Sequence, residues 1–331
     1  MGGAGSHTPP VYVVGAGGIG CAVGYALLQA GRRVVFVETD PAKVDWGRTH
    51  GVAVDHWPAR RADFEHFHNW SPPPGATVLL CTKCYDNPAV LGRLPPRTVL
   101  VPIQNGFDAA LERYSDSPEG IASFVSECLP GRPHTRITRR GELHVGFRGG
   151  GPDSAVFDFV ASWRHTPLFR LRVVPDILPF KYTKLMYNAA ISPLAAAAGL
   201  DNGQLLAVPL ARRLFFALLQ ENYDILRAAS VPLGKIGPFH PHTVARILRR
   251  PAVAHALAWA FYPTLRRTYC SMSGDLPSGR TEIDFYNRHL LDLADGRPCP
   301  LNRGVYNLVK RMERERQPPT RDVLDELAAI L

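Results

Sequence analysis

Three polar side chains recur at every fourth position in the stretch FKYTKLMYNAAISP: Lys184, Asn188 and Ser192. On a helix, residues at i, i+4 and i+8 share one face, so an ammonium, a carboxamide and a hydroxyl would line a single strip. A lysine in that place is informative because arginine is this chain's default cation: only six of its 38 basic residues are Lys. An ammonium can have its proton affinity tuned for acid–base chemistry, whereas a guanidinium cannot give up its proton. The same spacing also describes a solvated stripe on an amphipathic helix. Pro193 is expected to kink or end the helix just after Ser192. A second candidate stretch is SMSGDLPSGRTEID, residues 271 to 284, where a loop of Ser, Gly, Pro and Asp is expected to run into a helix over Thr281 to Ala294. Such loops place polar groups at clefts. Glu282 near that helix start is either one of these groups or a carboxylate that favours the helix dipole. Asn287 follows little more than a turn later, and Leu290 and Leu291 supply buried contacts.

The element that would bring a second reactant to these residues lies at the other end of the chain. VYVVGAGGIG, residues 11 to 20, is a short β-forming run that stops on glycines, and CAVGYALLQA after it reads as a helix packed on a sheet. Strand, glycine turn and helix make up the context of a dinucleotide-binding turn. Gly15 permits the tight turn, Gly17 lets the backbone approach a pyrophosphate, and Gly20 lets helix and strand pack closely. Gly18 and Ile19 are cofactor-binding candidates of the same turn, and the N-terminus of the helix that follows faces the anion with free N–H groups. Arg33 to Val37 reads as the second strand, and Glu38 stands at its end, 23 residues after Gly15. A carboxylate there accepts hydrogen bonds from the ribose hydroxyls and repels a 2′-phosphate, which favours NAD and leaves NADP open.

Thr77 to Thr82 and Thr98 to Ile103 read as buried parallel strands, followed by Lys83 and by Gln104, Asn105 and Gly106 respectively. Polar residues at the C-terminal ends of parallel strands line the crevice where ligands bind, so Lys83 and Asn105 are candidates for the nicotinamide side. Arg136 to Phe147 alternates around a turn and reads as a hairpin that completes the sheet, with an exposed bend at Gly149 to Pro152. From Phe180 onward only helices are expected. The fold class is therefore α/β: a Rossmann-type dinucleotide-binding domain over residues 1–175, followed by an all-helical domain over 176–331.

With 331 residues and 46% hydrophobic composition the chain can bury two cores, and no stretch is long and apolar enough for a membrane span. Its start carries neither a charged n-region nor an apolar h-region; Met1, Gly2 and Ser6 fit a myristoylation pattern, but the reading taken is an unstructured leader. The six cysteines are scattered, which suits a reducing cytoplasm. Cys81 and Cys84 form a CxxC without the second pair that a zinc site wants, and His56, His66 and His68 read as solvated, so no metal is expected. The net charge of +9 comes from arginine pairs spread along the chain, with no interleaved aromatic stripe. A nucleic-acid partner is therefore not expected, and the positive field serves to attract anionic small molecules.

Taken together, GAGGIG after the first strand, TKCYD at 82 to 86, QNG at 104 to 106, KLMYNAAISP at 184 to 193, the SM…D…GRTEID segment and PLN at 300 to 302 resemble the ketopantoate reductase family over nearly the whole chain. The resemblance implies a cytoplasmic, dimeric reductase of a small 2-oxo acid. Lys184 matches the general acid that protonates the keto oxygen as hydride arrives, and Glu282 the carboxylate that orients this lysine. Asn105 and Lys83 match cofactor-side residues, and Asn188, Ser192 and Ser271 substrate-side positions. A lysine, with a reference pKa of about 10.4, is protonated at neutral pH without any shift. Ser192 stands where the family usually has a second Asn before Pro, and Arg288 brings a bulky cation where a small residue is usual. Thr39, just after Glu38, occupies the position of an Arg in NADP-using members. These departures point to one alternative, an NAD-dependent D-2-hydroxy acid dehydrogenase acting on a branched or aromatic acid; an alternative of another class is a non-catalytic dinucleotide sensor, against which the intact Lys184 and Glu282 argue.

Overall fold

The computed structural model describes residues 9–151 and 160–331. The leader with its myristoylation pattern, and Pro152 of the expected bend, lie outside the described residues. By packing, the chain divides into two compact units, one of residues 1–104 with 109–177 and one of residues 105–108 with 178–331.

The first unit is built on a five-stranded parallel sheet. Its strands are β1 (Val11–Val14), β2 (Val34–Glu38), β4 (Asp63–His66), β5 (Thr77–Leu80) and β6 (Val99–Pro102), in the order β4-β2-β1-β5-β6. Alternation along these strands feeds two cores. Val13, Phe36, Leu79 and Val101 pack on one face with the helix α1 (Gly18–Gln29), while Val14, Val37, Val78, Leu80 and Leu100 pack on the other with Trp70. Burial on both faces explains why β1, β2, β5 and β6 read as apolar runs. The helix α2 (Pro41–His50) starts with Pro41 in its first turn and the Asp40 carboxylate accepting from the Ala42 N–H at 2.9 Å.

The expected hairpin over 136–147 does not form. β9 (His134–Arg139) pairs with β8 (Val125–Cys128) and with the short β3 (Ala53–Val54), whereas β10 (Glu142–Phe147) pairs with β7 (Glu119–Ala122) and β11 (Arg170–Asp176). Neither joins the five-stranded sheet. Gly141, between them, passes so close to another segment that a Cβ there would lie 2.5 Å from the Phe124 nitrogen. The chain uses that close approach to switch sheets instead of folding back on itself.

The second unit is helical among its described residues. It comprises α4 (Leu178–Ala198), α5 (Gln204–Ala207), α6 (Pro209–Ala228), α7 (Pro241–Leu248), α8 (Pro251–Leu265), α9 (Ser271–Asp275), α10 (Asn287–Leu293), α11 (Pro300–Glu315) and α12 (Val323–Ala328); a short α3 (Asn87–Leu91) lies in the first unit. Of the two outcomes expected at Pro193, a kink or a helix end, the end does not occur: α4 continues to Ala198. A proline leaves the carbonyl four residues earlier without its helical donor. That carbonyl, on Ala189, instead accepts from Asn287 Nδ2 at 2.9 Å. Nor is Thr281 to Ala294 one helix. A 3-10 turn over Ile283–Phe285 ends at Tyr286, whose backbone (φ −114°, ψ −84°) is not helical, and α10 begins only at Asn287. Glu282 thus precedes the first helical turn.

Candidate active site

In the first unit, the order of the sheet puts the topological switch between β1 and β5, where chain connections leave in opposite directions and ligands bind in open α/β sheets. Gly15 sits at that point with φ +97°, a conformation that disfavours any side chain, and a Cβ there would meet the backbone of Cys81 and Thr82 at 3.0 Å. Gly17 has open space where its Cβ would stand, while a Cβ on Gly20 would collide with the Gly15 carbonyl. Gly18 is closed off by β8, since its Cβ would lie 2.7 Å from Ser126. Ile19 is half-buried against the core. The turn therefore has an open face at Gly17 and the helix start beside it, and it fits a pyrophosphate.

Glu38 is the last residue of β2. Its carboxylate accepts from the Ala16 N–H of the glycine turn at 3.0 Å and from the Thr39 and Asp40 N–H groups at 2.7 and 3.2 Å. The Thr39 hydroxyl adds a contact of 3.1 Å, and the Lys43 ammonium lies 3.7 Å away. The acid expected to accept from the ribose hydroxyls clamps the second strand to the turn. His66 serves the same corner, its ring nitrogen lying 2.9 Å from the Thr39 carbonyl.

Lys83 follows β5 and β6 ends near Gln104, and a pair the sequence reasoning missed joins these strand ends. Gln104 Nε2 donates to the Thr82 carbonyl at 2.9 Å and to Asn87 Oδ1 at 2.7 Å, and Asn87 Nδ2 donates back to Gln104 Oε1 at 3.2 Å. Both side chains are buried. The available signal was a polar pair at the end of apolar strands, Gln104 beside Asn105. Cys81 and Cys84 are not joined in a disulfide, and burial pushes the Cys81 thiol up, away from reactivity.

In the second unit, Lys184, Asn188 and Ser192 lie on the unbroken α4, so the expected strip exists as one helical face. Lys184 and Asn188 are half-buried and Ser192 is 4% exposed. Cys270 Sγ lies 3.4 Å from the Ser192 carbonyl, which brings Ser271, the exposed first residue of α9, alongside the same helix. Glu282 is 3% exposed and accepts from the Tyr286 hydroxyl at 3.0 Å. Asn287, one residue further, reaches α4 through the Ala189 carbonyl. Both segments singled out from the sequence are thus tied to the helix that carries Lys184. Arg288, expected to crowd a small place, instead points outward and pairs with Asp292 at 2.9 Å.

Asn105 belongs by packing to this second unit and is half-buried. Its neighbours are fixed by Lys181, a fully buried lysine that sequence reasoning passed over. Lys181 Nζ donates to the Gly106 carbonyl at 3.3 Å and stands 4.9 Å from the centre of the Phe107 ring. Phe107 stacks at 4.5 Å on both Tyr182 and His289, and its N–H donates to the Phe285 carbonyl at 3.0 Å.

A glycine turn and an acidic strand end on a parallel sheet, followed by a helical unit with a lysine-bearing face, define a Rossmann-type two-unit protein. The chain belongs to the ketopantoate reductase family: the profile of Ketopantoate reductase PanE/ApbA matches residues 11–151 and that of its C-terminal part matches residues 176–313. It is similar to the 2-dehydropantoate 2-reductase of Pyrobaculum aerophilum, 28% identical over 240 residues, which are 71% of this chain and 76% of that one. Its similarity to the 2-dehydropantoate 2-reductase of Archaeoglobus fulgidus extends over 310 residues at 25% identity, 92% of this chain and 97% of the other. Among solved structures, D-mandelate dehydrogenase with NADH and anilino(oxo)acetate has the same fold, with a TM-score of 0.75 at 17% identity over 93% of this chain and 99% of that one. Among the described residues, no helix is long and apolar enough to cross a membrane.

Proposed function

We propose that the protein reduces a small 2-oxo acid to the 2-hydroxy acid with a nicotinamide cofactor, with 2-dehydropantoate as the leading substrate. The observation that carries this reading is the tying of the Ser271 and Glu282 segments to the helix of Lys184, through Cys270 to Ser192 and Asn287 to Ala189. The reduced cofactor supplies a hydride to C2. Lys184 delivers a proton to the keto oxygen and stabilises the charge that develops there. Glu282, held by the Tyr286 hydroxyl, orients that lysine. Asn188, Ser192 and Ser271 hydrogen-bond the substrate, while Lys83 and Asn105 serve the cofactor side. The unit with the glycine turn binds the dinucleotide, and the helical unit binds substrate and makes the dimer.

NADH is the proposed cofactor. The Glu38 carboxylate sits at the end of β2 beside the turn, where it opposes a 2′-phosphate, and no arginine follows it. A homodimer is supported by α8, which contains no Asp, Glu, Lys or Arg and leaves Trp259 66% and Val253 43% exposed. The scatter of the six cysteines along a chain of this size supports a reducing, cytoplasmic location.

A second reading, a D-2-hydroxy acid dehydrogenase acting on an aromatic acid, is supported by Ser192 in place of the family's usual Asn and by the aromatic stack of Phe107, Tyr182 and His289 near Gly106. Steady-state oxidation of NADH and NADPH, with 2-dehydropantoate set against 2-oxoisovalerate and phenylglyoxylate, separates the two. The first reading expects the highest kcat/KM with 2-dehydropantoate and NADH. Turnover confined to phenylglyoxylate would replace it with the second, and a preference for NADPH would overturn the role given to Glu38.

A further inference from the structure

The carbonyl of Ala16, inside the glycine turn, collects an unusual set of neighbours. Cys21 Sγ lies 3.3 Å from it, Cys128 Sγ 3.4 Å and Lys43 Nζ 3.4 Å, while the Ala16 N–H is held by Glu38. Cys21 comes from the first turns of α1 and Cys128 from the end of β8, the strand that already covers Gly18 through Ser126. Two thiols distant in sequence thus converge on one backbone atom of the turn, and neither has a part in hydride transfer.

We propose that Cys21 and Cys128 form a dithiol oxidised by hydroperoxides, and that their disulfide weakens dinucleotide binding by withdrawing both sulfurs from the Ala16 carbonyl. The proposal rests on the reading of the turn as the dinucleotide site.

The two thiols differ in a way that orders the steps. Cys128 is partly exposed, and a hydrogen bond from Cys21 together with the Lys43 ammonium holds its thiol down at about 7, despite burial. Cys21 is fully buried, and its hydrogen bond to Cys128, together with burial, pushes it up. Cys128 is therefore the attacking thiolate and Cys21 the resolving thiol. The Cys128 thiolate attacks one peroxide oxygen; the O–O bond breaks and the departing hydroxide or alkoxide takes up a proton. The Cys128 sulfenic acid is then attacked by the Cys21 sulfur; the S–S bond forms, the S–O bond breaks and the oxygen leaves as water. Two thiols lose two electrons and two protons, and the peroxide is reduced by the same two electrons. In the dithiol form either thiol can donate its proton to the Ala16 carbonyl; in the disulfide neither sulfur carries one, and that carbonyl keeps only the Lys43 donor.

The test uses the full chain, reduced and desalted, then titrated with hydrogen peroxide. Peptide mapping by mass spectrometry reads the linkage, and NADH fluorescence reads binding. The expected result is a Cys21–Cys128 link and an NADH Kd raised about tenfold, both reversed by dithiothreitol. Cys128→Ser should lose both the link and the peroxide sensitivity, and Cys21→Ala should leave Cys128 as a sulfenic acid that dimedone traps. Oxidation confined to other cysteines, or a linked protein that binds NADH as tightly as the reduced one, would overturn the proposal. A reduced protein that binds neither NADH nor NADPH would instead sink the dinucleotide reading and, with it, the consequence assigned to the disulfide.

Discussion

Lys184 and Glu282 divide the chemistry between a group that gives a proton and a group that holds the giver in place. Lys184→Ala should lower kcat by about a hundredfold or more, the usual contribution of a positioned general acid, while the Kd for NADH stays within about twofold. Single-turnover kinetics with isotopically labelled NADH would check this, and a variant with undiminished turnover would remove Lys184 from the reaction; a wild-type protein that binds NADH but turns over no 2-oxo acid would instead favour the dinucleotide sensor. Glu282 is a different case, because it was legible as an acid in a polar loop but not in its setting. The sequence suggests a carboxylate on the first turn of a helix, whereas the side chain is buried ahead of a 3-10 turn and bonded to Tyr286. The break at Tyr286 has no glycine or proline to announce it, so no local rule could place it.

At the scale of elements, Pro193 and Asn287 make one feature out of two. The proline removes an N–H from the interior of α4, and the amide of Asn287 meets the Ala189 carbonyl left behind. The same amide group donates to Asn302 Oδ1 at 2.9 Å; Asn302 Nδ2 donates to Asn222 Oδ1 at 2.7 Å; and Asn222 Nδ2 donates to the Met186 carbonyl at 2.9 Å. Three buried asparagines thereby link α4, α6, α10 and α11. Asn287→Ala should cost about 2 to 3 kcal/mol of stability in urea unfolding, because two buried acceptors lose their donor. In a Pro193→Ala background, which restores the helical donor, the same change should cost about 1 kcal/mol less. Equal penalties in the two backgrounds would show that the two residues do not communicate.

Such pairings mark the limit of what the chain's order reveals. The apolar runs that became β1, β2, β5 and β6, and the helices α4, α6, α7, α8, α11 and α12, were legible because each buries a face of its own; α9 falls in a stretch that reads as a loop, and α10 starts later than expected. β4 was not, since Asp63–His66 pairs on one side only, with β2, and only Phe64 among its residues is buried. The alternation of residues 136–147 showed two strands correctly but not their partners, which lie in two different sheets. The three-residue polar strip of α4 was readable from spacing alone, whereas Lys181 and Gln104 were not, because their roles depend on carbonyls brought to them by tertiary packing.

For the whole molecule, association is the property most open to direct measurement. α8 carries an uncharged face with Trp259 and Val253 turned to solvent, a surface that a second copy would cover. Light scattering behind size-exclusion chromatography should give a dimer, and Trp259→Glu should shift it toward monomer without changing the far-ultraviolet circular dichroism. A wild-type monomer at all accessible concentrations would refute the assignment.

Residues 105–108 pack with the helical unit although the chain on either side of them belongs to the other. Phe107 is 7% exposed in that unit's core, gripped by Tyr182 and His289. The two units are therefore not separable cassettes. A gene cut between them at residue 177 would deliver a helical half with a phenyl-sized hole, and a chimera that paired this helical half with a relative's sheet would inherit a foreign tetrapeptide as its plug. Recombination between family members has to carry the loop with the helices it fills, across residues 109–177 that lie between them in the gene.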